Sequence, residues 1–164
     1  MAATSETPRV VFDCMIFVQA ALNGLGTCGA CFQAARDARL KLQVSPYVIG
    51  ELKDVLTRPR LRGKFSRLND TFTKAFVEEF VRISTMTSSV PAAYRHPLDP
   101  KDEPYVNLAI ASRSSLIVSR DARQMLALMD VARPEGKVFR AAFPSIEIVT
   151  PERLLSSLRS MPTE

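Results

Sequence analysis

Four acidic residues, Asp13, Glu51, Asp102 and Asp121, stand at positions where an α/β domain gathers its ligands. Asp13 closes the apolar run Val10-Val11-Phe12, and Asp121 follows Leu116-Ile117-Val118 after two residues. Glu51 lies on a helical segment directly after a third apolar run, and Asp102 opens a fourth regular segment. Open parallel sheets bind ligands outside the carboxyl ends of their strands. Carboxylates crowded there repel one another unless a cation or protons share the site. Mg²⁺ or Mn²⁺ is the simplest occupant, because hard ions take oxygen ligands.

The elements that must position these acids follow from periodicity and punctuation. Arg9 to Asp13 reads as a buried strand, Met15 to Leu22 as a helix stopped by Asn23-Gly24, and Gly26 to Ala38 as a second helix. Leu40 to Ser45 reads as a strand, followed by a helix from Pro46 to Leu56 that Arg58-Pro59 ends. Phe72, Phe76, Phe80 and Ile83 form the stripe of an amphipathic helix from about Asp70 to Ser84, which faces the core or a dimer partner. A short strand is expected near Met86 to Val90, a loop over Tyr94 to Pro100 and a helix over Pro104 to Ser112. Leu116 to Ser119 is a strand, Ala122 to Met129 a helix, and Val131 to Phe143 irregular and basic. Ser145 to Val149 is a last strand, and Thr150 caps a final helix with Pro151 in its first turn. This alternation predicts one α/β domain over residues 9–160. Its three layers, α/β/α, enclose a mainly parallel central sheet of four to five strands.

Each acid also has a plainer explanation. Asp13, Asp102 and Asp121 each precede a helix and fit the N-cap role, which is compatible with offering a second oxygen to a metal. Glu51 falls between Tyr47 and Val55 on the apolar arc of its helix, where a lone carboxylate needs a partner. That partner is either an arginine or an active site. In Leu98-Asp99-Pro100-Lys101-Asp102-Glu103-Pro104, a cap at Asp99 would put Pro104 at the fifth helical position and delete a backbone bond. Asp102 is therefore favoured as cap and site residue, with Asp99 left in the preceding turn.

Composition bounds the function. At 164 residues, 46% hydrophobic and 24% charged, the chain can bury a full core. No apolar run approaches the roughly 20 residues that span a bilayer, so no membrane role is expected. Residues 1–8 lack the basic start and apolar core of a secretory signal; a frayed tail and a cytoplasmic location are expected. Three cysteines argue against a disulfide framework. Cys28-Gly-Ala-Cys31 has redox spacing in the wrong context, and a zinc set with Cys14 and His96 would need three distant elements to converge. The net charge is +5, and outside the four acids the 22 basic residues face only 13 acidic ones. An acidic pocket in a basic surround suits a polyanionic substrate.

At these segments the chain resembles the PIN domain family of small α/β nucleases. Val-Val-Phe-Asp13 is similar to its opening strand and first acid, and Ser45-Pro-Tyr-Val-Ile-Gly-Glu51-Leu to the segment bearing its second. Asp99-Pro-Lys-Asp102-Glu-Pro-Tyr-Val-Asn-Leu-Ala109 looks like the start of its third-acid helix. Leu-Ile-Val-Ser119-Arg-Asp121 looks like its strand followed by Ser/Thr-x-Asp. Ile148-Val-Thr-Pro151-Glu-Arg-Leu-Leu155 is similar to the ending of the branch assigned as toxins of toxin–antitoxin pairs. One departure stands out: Cys14-Met15 replaces the polar pair that usually follows the first acid.

The resemblance implies an Mg²⁺- or Mn²⁺-dependent endoribonuclease that cuts single-stranded RNA. It also implies a cognate antitoxin protein as partner and a homodimer. Asp13, Glu51, Asp102 and Asp121 would hold the metal, and Ser119 would orient Asp121 or a water. Arg58, Arg60, Arg62, Lys64 and Arg67 would grip the RNA backbone, with Arg60, Lys64 and Arg67 on one face if the segment is helical. A solvated basic helix, or a surface for an acidic antitoxin segment, fits these five equally well. The departure at Cys14-Met15 supports an alternative: a catalytically weak PIN-like module that binds RNA or protein.

Overall fold

Val10, Val11 and Phe12 follow one another along a strand, so their side chains point to alternate faces, yet none is more than 1% exposed. Both faces of the sheet are therefore covered, and the layers are α/β/α. The computed structural model describes residues 6–161. The expected tail falls mainly on residues outside these; at its described end the Pro8 carbonyl accepts from the Lys41 N–H at 2.8 Å.

Five strands form one sheet: β1 (Arg9–Phe12), β2 (Lys41–Val44), β3 (Thr85–Met86), β4 (Leu116–Val118) and β5 (Glu147–Val149). All pairings are parallel and the order is β3-β2-β1-β4-β5. The chain builds outward from β1 through β2 to β3, then returns to place β4 on the other side of β1. That reversal leaves a crevice beyond the carboxyl ends of β1 and β4, where doubly wound sheets bind ligands.

The described residues carry eight α-helices: α1 (Cys14–Leu22), α2 (Thr27–Arg36), α3 (Pro46–Thr57), α4 (Pro59–Lys64), α5 (Asp70–Ile83), α6 (Glu103–Ala111), α7 (Pro134–Ala142) and α8 (Pro151–Arg159). Local chemistry starts them. The Ser45 hydroxyl accepts from Val48 N–H at 3.3 Å, Asn69 Oδ1 from Phe72 N–H at 2.8 Å, and Thr150 Oγ1 from Arg153 N–H at 3.2 Å. Aromatic contacts then tie helices to sheet. The Phe17 ring lies 5.5 Å from Phe12, 6.4 Å from Phe32 and 4.3 Å from Phe80. The Phe72, Phe76 and Phe80 stripe thus joins the core through α1 and α2, and Phe80 is fully buried. No single helix among the described residues is long and apolar enough to cross a membrane.

Three expectations about elements fail, each for a local reason. Val131 to Phe143 is not irregular throughout, because α7 occupies most of it. Only Gly136 and Phe139 of that helix are buried, so the apolar stripe is too narrow to stand out among its basic residues. Gly136 is required there: a Cβ would sit 2.0 Å from the Asp130 carbonyl oxygen. Ala122 to Met129 is not an α-helix but a turn leading into a 3₁₀ stretch, Leu126–Met129. Asp121 Oδ1 accepts from the N–H groups of Arg123 and Gln124 as an N-cap would, but the Asp121 carbonyl accepts from the Leu126 N–H at 2.9 Å, five residues on, so the regular α-helical ladder is not entered. The strand near Met86 to Val90 shrinks to Thr85–Met86, with one further bond from Thr87 N–H to the Val44 carbonyl. Pro91 follows closely and cannot donate to a ladder.

Candidate active site

The crevice at the sheet switch point is a cleft of about 390 Å³ lined by all four acids singled out above and by Asp99. Asp13 follows β1 directly and is buried. Its Oδ1 accepts from the Met15 N–H at 2.9 Å, capping α1. Its Oδ2 accepts from the hydroxyl of Ser119, which is fully buried at the end of β4. The same hydroxyl oxygen accepts from the Asp121 N–H at 3.0 Å. Ser119 therefore orients Asp13 and pins the backbone of Asp121; the expected contact with the Asp121 carboxylate is not the one formed. Parallel pairing of Phe12 with Val118 makes this bond possible across 106 residues of chain.

Glu51 reaches the cleft from the middle of α3, and its Oε2 accepts from the Tyr105 hydroxyl of α6. No salt bridge holds Glu51 among the described residues. Asp102 departs from its expected role. Asp99, not Asp102, caps the turn: its Oδ1 accepts from the Lys101 N–H at 2.9 Å and opens a 3₁₀ turn, Pro100–Asp102. That short turn runs into α6 and lets Pro104 keep its place in the first α-helical turn. Asp102 makes no capping bond, and its Oδ2 is buried with no hydrogen-bond partner.

The carboxylates feel one another. Burial raises the Asp13 pKa, against the lowering effect of the Ser119 and backbone hydrogen bonds, and Asp121 raises it further. Asp102 is pushed up to about 7, first by burial and then by Asp99, Asp121, Asp13 and Glu51. Gln124 relieves part of the crowding. With its amide nitrogen facing the acids, it donates to Asp121 Oδ2 and Asp99 Oδ2, each at 3.0 Å.

Sequence reasoning missed several of these groups. The sequence reading leaves Asp99 in the turn, although its spacing of three from Asp102 is a signal for a shared turn. Tyr105, again three residues on, carries the hydroxyl that holds Glu51. His96 falls within the expected loop over Tyr94 to Pro100, yet it is buried, and its Nδ1 accepts from the N–H groups of Leu98 and Asp99 at 3.1 Å each. It shapes the loop that delivers Asp99 and Asp102.

The donor set suits a hard cation: five carboxylates, one with a buried oxygen lacking any partner. Among the described residues, no three acidic, thiol or imidazole groups form a ready coordination shell. The imagined Cys₃His cluster is likewise not formed, and Cys14, Cys28 and Cys31 are free and buried.

The five basic candidates divide. Arg58 pairs with Asp54 at 2.8 Å, and Arg62 with Asp70 at 2.6 Å while also donating to the Leu56 carbonyl at 3.2 Å. Arg67 lies beyond the end of α4, so it does not share a helical face with Arg60 and Lys64. Its guanidinium donates to the Leu22 carbonyl at 3.3 Å and sits 4.9 Å over the Phe72 ring. Arg60, Lys64 and Arg67 are exposed with no ion pair among the described residues, and of these three Arg67 is held by the contacts just given. Within the cleft itself stand Lys101 and Arg120, the latter 2.7 Å from Glu152. A larger cavity of about 720 Å³ opens between α3 and α5, but Asp70 and Glu78 are the acids in its lining, no gathering comparable to the cleft's.

A five-stranded parallel sheet with an acidic cleft at its switch point has the architecture of PIN-like α/β domains. The PIN domain model matches residues 9–123, and the chain belongs to that family. The matched stretch contains every acid of the cleft. PIN domains are a nuclease superfamily, generally metal-dependent, whose substrates are nucleic acids. No curated protein and no solved structure matches the chain.

Proposed function

We propose that this protein is a metal-dependent endoribonuclease that hydrolyses phosphodiester bonds of single-stranded RNA and serves as the toxin of a toxin–antitoxin pair in the cytoplasm. The observation that carries the nuclease reading is the unpartnered buried oxygen of Asp102 inside the carboxylate cleft of a PIN domain. Asp13, Glu51, Asp102 and Asp121 are the residues that would hold one or two Mg²⁺ or Mn²⁺ ions. Bound there, such an ion supplies Lewis acidity toward a phosphate oxygen and acidifies water.

The chain's own groups prepare that site. Ser119 fixes Asp13, Tyr105 fixes Glu51, and Gln124 holds Asp99 and Asp121 together. Asp102 keeps a proton up to about pH 7 and must release it to act as a ligand, so loading strengthens as pH rises through that value. Lys101 and Arg120, in the cleft lining, would meet substrate phosphates, and Arg60 and Lys64 would meet the flanking backbone; such contacts position RNA without reading its sequence. No side-chain nucleophile is needed. Burial, followed by Glu51 and Asp13, pushes the nearby Cys14 thiol to about 12, which leaves it inert at neutral pH. The toxin role, with an antitoxin partner and a homodimer, is supported by the resemblance of Ile148 to Leu155, which folds as the end of β5 and the capped start of α8.

A second reading rests on Cys14 and Met15. The Met15 side chain is half exposed and lines the cleft, where it supplies no oxygen, and Cys14 is buried. A catalytically weak RNA- or protein-binding module would tolerate this pair. Incubation of labelled single-stranded RNA with Mn²⁺ or Mg²⁺ separates the readings. Metal-dependent cuts that vanish in Asp13→Asn and Asp102→Asn, with both variants folded, are expected. Binding without any cutting would favour the module, and equal cutting by wild type and both variants would sink the assignment.

A further inference from the structure

Beside the acidic cleft lies a second cavity of about 410 Å³, and the two share a wall. Tyr47, at the start of α3, lines the second cavity one helical turn before Glu51. Its ring meets that of Tyr105 edge-on at 6.3 Å, and Tyr105 holds Glu51. On the other side, Pro100 and Pro104 line the cavity while the intervening Lys101 and Asp102 line the cleft. A polymer with a backbone group among the carboxylates would bring its next unit past the 100–104 turn towards this opening.

The lining says what that unit is. Pro46, Tyr47, Val90, Pro100 and Pro104 present flat or apolar surfaces. The polar residues are mostly committed elsewhere. Asn107 Oδ1 accepts from the N–H groups of Ala93 and Tyr94 at 3.1 and 2.8 Å, and its Nδ2 donates to the Tyr94 carbonyl at 3.3 Å. Ser45 caps α3, and Glu103 accepts from the His96 N–H at 3.0 Å. No Lys or Arg lines the cavity, and Glu103 repels anions, so it does not suit a second phosphate. Tyr47 remains 47% exposed despite its contact with Tyr105.

We propose that this cavity is a nucleobase subsite: one unpaired base of single-stranded RNA, next to the phosphate held at the carboxylates, stacks on Tyr47 between the proline walls. This inference deepens, and rests on, the ribonuclease reading. It gives a physical reason for single-strand preference, because only an unstacked, unpaired base can be inserted. Stacking is tolerant of base identity, so the subsite sets strandedness more than sequence.

The test uses the full chain in the Asp102→Asn background, so that RNA is bound but not consumed. Fluorescence anisotropy compares a short RNA with a ribose-phosphate oligomer of equal length lacking bases, for Tyr47, Tyr47→Phe and Tyr47→Ala. The expected result is that Tyr47→Ala weakens binding of the RNA by about 5- to 100-fold while Tyr47→Phe retains it. Binding of the abasic oligomer should be weaker throughout and indifferent to residue 47. Melting curves check that the exposed substitution leaves the fold intact. Equal affinity of the parent for RNA and abasic oligomer, or unchanged RNA affinity in a folded Tyr47→Ala, overturns the subsite. In the otherwise wild-type chain with Mn²⁺, cleavage with a KM indifferent to Tyr47→Ala also sinks the subsite but leaves the nuclease reading standing. Base-dependent binding with no cleavage does the reverse.

Discussion

Asp102→Asn should stabilise the metal-free protein while destroying its activity, and the size of the first effect follows from the cleft. Asp102 in the folded chain holds its proton up to about pH 7, whereas the unfolded chain releases it near 3.8. Between those values the folded state binds more protons, so this group's stabilising protonation is complete below 3.8 and lost as pH rises through about 7. Above that, wild-type protein carries a charge that its surroundings disfavour, and asparagine does not. Fully expressed, a rise from 3.8 to about 7 corresponds to about 4 kcal/mol. Asp102 is only partly buried, and solvent screening reduces the expected gain to about 1–2 kcal/mol. For a domain of this size that is a rise in Tm of roughly 3–6 °C at about pH 8. The assay is a set of thermal melts of both proteins in EDTA. The curves should converge as pH falls below 3.8, where wild-type Asp102 becomes protonated in both states. Saturating Mn²⁺ should reverse the order, because a ligand that binds only the folded state raises the melting point of wild type alone. An Asn variant no more stable than wild type at about pH 8 in EDTA would refute the crowding argument. Equal Mn²⁺ shifts in both proteins would refute the ligand assignment.

Ser119→Ala removes the hydroxyl that serves both Asp13 and the Asp121 N–H; a loss of about 1–3 kcal/mol in urea unfolding is expected. Cleavage should fall mainly in kcat, and an unchanged kcat would show that Asp13 needs no such positioning. Met15→Asn restores a polar group at a half-exposed cleft position and should raise Mn²⁺-dependent cleavage with stability changed by less than about 0.5 kcal/mol. No gain in rate would mean that Met15 is not what limits the site. Replacing Arg60 and Lys64 together by alanine should flatten the plot of log affinity against log salt by about 1.4. An unaltered slope would remove both from the RNA path. Leu52→Ala, at a fully buried position of α3 next to Glu51, should cost about 2–5 kcal/mol by chemical denaturation. A smaller loss would mean that the core around α3 collapses to fill the gap.

Much of the molecule was legible in the chain. Apolar runs mark β1, β2, β4 and β5, and Pro46 and Thr150 mark helix starts through local geometry that needs no distant partner. The strand-end positions of Asp13 and Asp121 and the apolar-arc position of Glu51 were equally local, which is why the cleft's main acids could be named in advance. What needed tertiary structure was everything that depends on two elements meeting. Ser119 was singled out, but its partner depends on β4 lying beside β1. Asp99 and Asp102 compete for one cap, and the outcome turned on a 3₁₀ turn whose shape His96 helps to hold from inside the domain. Arg58, Arg62 and Arg67 looked like free charges until Asp54, Asp70 and Leu22 were placed beside them. The helix α7 escaped notice because Phe139 and a close-packed Gly136 anchor it, and neither residue signals burial by periodicity alone. A side chain's type and spacing decide what it is able to do, but its free oxygens and charges are those left over once the folded neighbours have taken theirs.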